Sequence, residues 1–431
     1  MSNQVTNRGA NMAETVFKLI KASRLIDGKG GPVVSNGAVL LEGDKIRAAG
    51  PGKTVAAPGG AKVEVLDYTG KTVLPGLVDC HVHLNGFGDG RSGDELATLP
   101  DEVLSLQSAK NARTHLYSGV TTVRDCGGKN KTIFMLRKAI EMGITPGPSM
   151  VITGRPMAIV GGHLSYFGIQ ATGVTECRAA VRQLIKEGAD FIKITASGGS
   201  TKTSFPLRPS FNVDELKAIA EEAHKFGKHT AAHCVNIQSM HNCLDAGIDT
   251  IIHARHIQPD GTWEYRPEVT ERMVKQGVYV NLTLNESRAI VQNLEKKIAA
   301  GITLTAWEEK LLEGCKAKWD DLMDHAGRIY RDGAKLVAGS DSSWSVNPMG
   351  NFQGELEAHV MAGMKPMEAI VAGTLDSAKS CWTDKSVGSL EAGKEADVLV
   401  VDGDPSKNIS DLHKVVDVFL KGAKVDRKNY V

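Results

Sequence analysis

Apolar positions along this chain fall into two textures. Val16 to Ala22, Ala38 to Leu41, Lys62 to Leu66 and Thr72 to Leu74 are short apolar or alternating runs between glycine-rich turns, the pattern of a small β unit. From Leu77 the rhythm changes to short apolar strands separated by helical stretches, which is the signature of a parallel α/β sheet or barrel. Eight candidate strands follow: Leu77 to His81, Val120 to Arg124, Ser149 to Thr153, Phe191 to Thr195, His229 to His233, Thr250 to His253, Val278 to Leu282 and Leu336 to Gly339. Between them, Val213 to Phe226 puts Leu216, Ile219, Ala220 and Ala223 on one helical face, with acids and lysines opposite. Eight such units predict a closed barrel, in which residues just past the C-terminal ends of the strands converge on one mouth.

The same pattern sets boundaries. Residues 1–15 form a polar N-terminal tail. Short-strand texture returns in Ala396 to Val401 and Val415 to Leu420, so residues 16–74 and 385–431 are expected to complete one composite β domain around a barrel of residues 75–384. A charged stretch at 285–331 carries Leu294, Ile298, Leu311, Leu312, Trp319, Leu322 and Met323 at spacings that predict two amphipathic helices. Such an excursion serves as a lid, an oligomer contact or an ordinary solvent-facing insertion.

Composition narrows the choice of partners. The length of 431 residues suits one large barrel or two domains, and 42% hydrophobic residues with a net charge of +1 describe a soluble globular protein. With 51 basic and 50 acidic side chains there is no general attraction to nucleic acid or to an anionic membrane, which leaves a small-molecule substrate as the expected partner. The first fifteen residues lack the apolar core of a secretory signal and nowhere do eighteen apolar residues run together, so a cytoplasmic location is expected. Cys80, Cys126, Cys177, Cys234, Cys243, Cys315 and Cys381 are odd in number and scattered, and are expected to be reduced and mostly buried.

Six potential metal ligands stand at predicted strand ends: His81, His83, Lys193, His233, His253 and Asp341. His81 and His83 alternate in the run Pro75-Gly-Leu-Val-Asp-Cys-His-Val-His, so both can face one ion. Lys193 interrupts the apolar strand Ala189-Asp-Phe-Ile-Lys-Ile-Thr, where an ammonium is costly to desolvate. Burial favours a neutral amine, and a neutral amine captures carbon dioxide as an anionic carbamate with one oxygen for each of two metals. The alternative is a lysine whose head reaches water at the rim. His233 ends His229-Thr-Ala-Ala-His, and His253 ends Thr250-Ile-Ile-His. Asp341 follows Leu336-Val-Ala-Gly-Ser, where a carboxylate can both bind metal and exchange a proton. His229, His241 and His256, off the strand ends or on helical segments, are weaker candidates expected to support the site or lie at the surface.

In order and spacing these motifs resemble the amidohydrolase superfamily, in its imidazolonepropionase, Xaa-Pro dipeptidase and ochratoxinase-like branch. Gly119-Val-Thr-Thr-Val-Arg-Asp, Gly161-Gly-His163, Phe191-Ile-Lys-Ile and Gly388-Ser-Leu-Glu-Ala-Gly-Lys-Glu-Ala-Asp397 extend the likeness over the chain after residue 15. The resemblance implies a (β/α)8 TIM barrel with a small β-sandwich built from both chain termini, two zinc-like divalent ions, N6-carboxylysine at Lys193, and a homo-oligomer. Matched by motif, His81, His83 and Asp341 would hold the more buried ion, His233 and His253 the more exposed one, and Lys193 both. A metal-activated hydroxide would attack an amide carbonyl, with Asp341 taking its proton and passing it to the leaving nitrogen.

Two departures bear on substrate. Relatives in this branch often place a tyrosine or histidine two residues past the ligand here numbered His233, where this chain has Val235. The common Ile-Glu-His-Gly motif reads Ile251-Ile-His-Ala, followed by Arg255. Expected substrate contacts are therefore His163, Tyr166, Val235 and Arg255, with Arg255 or Arg208 pairing a substrate carboxylate and Leu164, Tyr166 and Phe167 forming an apolar wall. Arg124 and Asp125 are expected to form a buried ion pair. The readings that follow are a hydrolase of N-acyl amino acids, dipeptides or ochratoxin-like amides; a hydrolase of ureas, carbamates or cyclic amides without a carboxylate; and a barrel that holds metal and ligand without turnover.

Overall fold

In the computed structural model, which describes residues 16–428, the strand Phe191–Thr195 shows how the sequence becomes a layer. Ile192 and Ile194 join a core with Leu184, Ile219, Ala223, Ala232 and Ile251, on the side covered by helices. Phe191 turns the other way, against Val151, Ala231, Ile252 and Val337. Lys193 stands two residues further along that same inner face. The predicted polar tail, residues 1–15, lies outside the described residues.

The eight central strands are Leu77–Val82, Val120–Asp125, Ser149–Ile152, Phe191–Thr195, His229–Asn236, Thr250–Ile257, Tyr279–Asn281 and Lys335–Val337. Neighbours among them pair in parallel. They fall into a three-stranded set ending at Ser149–Ile152 and a seven-stranded set that adds the short strands Met157–Ala158 and Ile169–Gln170. Backbone hydrogen bonds cross between the sets: Cys80 N–H donates to Ala338 O at 3.1 Å, Asp341 N–H to His81 O at 2.8 Å, and Asp190 N–H to Ile152 O at 2.7 Å. The first two bring the ends that carry His81 and Asp341 side by side.

The helix Val213–Lys225 begins where Asn212 and Glu215 cap each other's backbone N–H groups, and it buries the face expected from its periodicity. The stretch 285–331 departs from expectation: it forms three helices, Asn285–Ala299, Ala306–Ala317 and Trp319–Arg331, rather than two. Gly301 in the left-handed region and a second reciprocal cap between Thr305 and Glu308 break the first part into two helices. Trp319–Arg331 buries Leu322, Ala326 and Ile329 in the main core, so it covers the strands rather than standing apart from them.

Both chain ends meet in one antiparallel-rich sheet of seven strands, ordered Ala423–Lys424, Val415–Leu420, Val398–Asp402, Val63–Pro75, Phe17–Leu25, Val34–Glu42 and Lys45–Pro51. The two strands expected at 62–66 and 72–74 are one long strand, carried through by a bulge at Gly70, whose φ of 85° a side chain would strain. Leu399, Val401 and Val418 from this sheet pack with Leu74, Leu77, Leu116 and Val120, fixing the sheet against the parallel strands. The seven cysteines are free, and all but the half-buried Cys315 are buried. No helix among the described residues is long and apolar enough to cross a membrane.

Candidate metal centre

A buried aspartate sets the strand ends in place before any ligand is considered. Asp79 is fully buried and accepts the N–H groups of His81 at 3.1 Å and Ser340 at 3.0 Å and the Ser340 hydroxyl at 2.6 Å. Gly350 N–H donates to His115 Nδ1, which leaves the proton on His115 Nε2 to meet Asp79 at 2.9 Å. One carboxylate therefore ties the end that bears His81 to the end that bears Asp341.

Each imidazole is then turned by a partner on one of its nitrogens. Asn281 Oδ1 takes His81 Nδ1 at 3.1 Å, Gly127 O takes His83 Nδ1 at 3.0 Å, and Thr283 Oγ1 meets His253 Nδ1 at 2.8 Å. His233 is the reverse: Nε2 faces Gly198 O at 3.2 Å, leaving Nδ1 uncommitted. Asp341 Oδ1 lies 3.4 Å from His81 Nε2 and 3.6 Å from His83 Nε2, and Oδ2 lies 4.0 Å from His253 Nε2. Lys193 Nζ is 3.1 Å from His81 Nε2 and, among the described residues, forms no ion pair with a carboxylate. His233 joins the group through ring contacts, 4.6 Å from His253 and 4.5 Å from His163 between centroids.

Electrostatics prepares this group for a cation. Burial, reinforced by Lys193, holds His83 down at about 3, and burial first also keeps His81, His233 and His253 well below the ordinary imidazole value. They are neutral, which is the ligating form. Burial, with Glu286 adding its negative charge, pushes Asp341 well above the ordinary carboxylate range. Its Oδ1 is buried without a hydrogen-bond partner. A lone buried carboxylate oxygen facing uncommitted imidazole nitrogens is satisfied by a divalent ion, so the donor set fits a metal. Among the described residues, His81, His83 and Asp341 are the set whose ligating atoms all lie within 4.8 Å of one another. Left-handed backbone at His253, Thr283 and Asp341, with φ of 69°, 50° and 53°, marks the same loops.

The expected substrate residues divide. His163 belongs to the group: burial holds it down at about 3, its Nδ1 meets Thr201 Oγ1 at 3.1 Å, and its ring fills the space where a Cβ at Gly199 would stand, 2.6 Å away. Val235, half-buried, sits two residues past His233 with its N–H on Ser197 Oγ. Arg255 follows His253, half-buried, with its guanidinium 5.8 Å from the Trp263 ring centre. Tyr166 meets Phe167 edge-on. Arg208 is exposed, on the loop beside Gly198, whose N–H donates to the Arg208 carbonyl and whose own carbonyl faces His233.

Three expectations change. Arg124 and Asp125 do not pair: Arg124 donates to the carbonyls of Cys80 and Ser380, while Asp125 accepts the N–H groups of Leu84 and Gly127. Neighbours on a strand point to opposite faces, which keeps the two apart. His256 is fully buried, between Tyr265 and His325. His229 lies at the opposite end of its strand, stacked on Phe191. Asp79's partner His115, the aligners Asn281 and Thr283, Glu286 and Trp344 carry no mark in the sequence reading, although Asn281 ends an apolar strand and Thr283 and Glu286 follow it, the signal that marked His233 and Asp341.

Residues 72–425 match the amidohydrolase family. The chain belongs to that family. It is similar to the ochratoxinase of Aspergillus niger, 28% identical over 96% of this chain and 88% of that one. It is also similar to the imidazolonepropionase of Fusobacterium nucleatum subsp. nucleatum, 24% identical over 86% of each chain. Its structure is similar to that of a Xaa-Pro dipeptidase with bound methionine in the active site, at a TM-score of 0.80 and 28% identity over 95% of this chain and 99% of that one. The branch expected from the motifs is thus the right one, and this amidohydrolase is a hydrolase of carbon–nitrogen bonds. The same likeness carries a TIM barrel with an extra domain.

Proposed function

We propose that this amidohydrolase closes its eight parallel strands into a (β/α)8 barrel and uses the mouth to cleave the amide bond of a small N-acyl amino acid, the class that includes dipeptides and ochratoxin-like amides. His81, His83 and Asp341 would hold one divalent ion, zinc foremost, His233 and His253 a second, and Lys193, as N6-carboxylysine, both. The buried lysine without a carboxylate partner supports that carbamate. When bound, the ions supply Lewis acidity and an acidified water.

The protein's own groups do the rest. Asp341 carries this reading: its buried Oδ1, without a hydrogen-bond partner and facing His81 and His83, would hold the ion, while Oδ2, toward His253, would take a proton from the attacking water and return it to the leaving nitrogen. His163, with Nδ1 engaged by Thr201, keeps Nε2 for the substrate carbonyl oxygen. Arg255, which forms no ion pair among the described residues although Glu286 acts on it from nearby, receives the substrate carboxylate, and Val235 offers apolar surface.

Hydrolysis of N-acyl amino acids is compared with that of their carboxamides on metal-loaded protein. A charge-assisted contact of about 1.5–3 kcal/mol gives roughly a tenfold to hundredfold preference for the carboxylate. Arg255→Leu is expected to erase that preference through KM. Equal or faster hydrolysis of carboxamides, ureas or cyclic amides would reject the carboxylate class and favour the second reading.

A further inference from the structure

The loop past Asp341 carries an aromatic residue that the reaction above does not use. Trp344 lies three positions beyond Asp341, and its ring centroid is 5.0 Å from that of His83. Phe167 stacks on Trp344 at 6.0 Å with the planes 27° apart, and Tyr166 meets Phe167 edge-on at 4.9 Å. Tyr166 is seated tightly, since a Cβ at Gly93 would fall 1.7 Å from its hydroxyl. Leu164 and Ser345, one on each of the two loops, have left-handed backbone with φ of 57° and 49°, so both loops are held in unusual shapes.

Phe167 is buried, but Trp344, whose ring lies beside the candidate metal ligand His83, is only half-buried. The direction matters as much as the surface. Trp344 touches His83, whereas Arg255 follows His253, and His81 lies between them at 5.3 Å from His83 and 5.7 Å from His253. A substrate whose carboxylate rests on Arg255 has its amine half at that side, and its acyl half extends toward Trp344.

We propose that Trp344, backed by Phe167, is the specificity-determining subsite for a flat aromatic group on the acyl side of the scissile bond. The substrates are then N-aroyl or arylacyl amino acids. The orientation rests on the amide-hydrolase reading above; the aromatic subsite rests on the ring geometry.

The test compares N-benzoyl and N-acetyl derivatives of one amino acid on metal-loaded wild type, Trp344→Leu and Trp344→Phe. An aromatic contact together with its buried area gives a preference for benzoyl of about tenfold in kcat/KM, most of it in KM. Trp344→Leu is expected to lose about tenfold on the benzoyl substrate while acetyl stays within about twofold, and Trp344→Phe to recover most of that loss. Equal losses on both substrates, or none, overturn the proposal. A second arm measures benzoate and acetate binding to metal-loaded protein by calorimetry. If no N-acyl amino acid is turned over, the amide reading fails, yet tighter benzoate binding that Trp344→Leu abolishes keeps the aromatic subsite. Benzoate no tighter than acetate on wild type removes it.

Discussion

The two ends of the parallel strands hold similar residues to different effect. At the mouth lie Lys193 and the imidazoles of His81, His83, His233 and His253; at the floor, around Phe191 where its strand begins, lie His229 and the guanidinium of Arg124, also buried. Both ends contain polar atoms without partners, Asp341 Oδ1 at one and Arg124 Nη2 and His229 Nε2 at the other. The difference is convergence. Mouth nitrogens surround one carboxylate at 3.4 to 4.0 Å. Around Phe191, Arg124 lies 5.3 Å from the ring centre, His229 stacks on the same ring at 5.1 Å, and the thiols of Cys80 and Cys381 are pushed up by burial rather than made reactive. A buried histidine is therefore weak evidence of function; several lone pairs aimed at one point are strong evidence.

The largest expected difference between the ends lies at Asp341. Asp341→Asn keeps the shape and one oxygen but removes the proton acceptor, and kcat is expected to fall by about 10^2- to 10^4-fold with the fold retained by circular dichroism. Turnover within a few-fold of wild type would move the base role elsewhere. A smaller effect is expected at Asn281, which touches the candidate ligand His81 and reaches Gly339 O at 3.0 Å. Asn281→Ala frees the His81 ring, and metal affinity measured by chelator competition is expected to weaken by about 10- to 100-fold. Unchanged affinity would mean that packing alone orients the ring.

How far the sequence revealed these ends follows from what each depends on. Strand ends and the candidate ligands they carry were legible because an apolar run followed by His, Lys or Asp is a local pattern, and Phe191–Thr195 carries its full alternation in five residues. Asp79 and His115 meet across 36 positions, and His163 meets Thr201 across 38, so no local pattern announces either pair. Helix count in 285–331 turned on caps at Thr305 and Glu308, two polar residues inside a stretch where charge is everywhere. Trp344 carries no local mark either, because its place beside His83 comes from a contact between loops far apart in the chain.

The smallest effect is the sharpest check on the comparison, because it asks the floor to be silent. His229 stacks on Phe191 with the planes 9° apart, its Nε2 has no partner, and the half-exposed Trp382 beside it can give way. His229→Phe keeps the stack and removes the unpaired nitrogen, so kcat/KM is expected within about twofold of wild type and stability within about 1 kcal/mol at pH 7.5. Burial first, then Arg124, Lys228 and His224, holds His229 well below its ordinary value of 6.5. The unfolded chain therefore takes up a proton there more readily than the folded one, and the stability this contributes is present above 6.5 and lost as pH falls below it. Replacing His229 removes that loss, so the variant's unfolding free energy should decline less steeply on acidification, by up to about 1.4 kcal/mol per pH unit. Loss of metal or of turnover in His229→Phe would show that the floor belongs to the site after all.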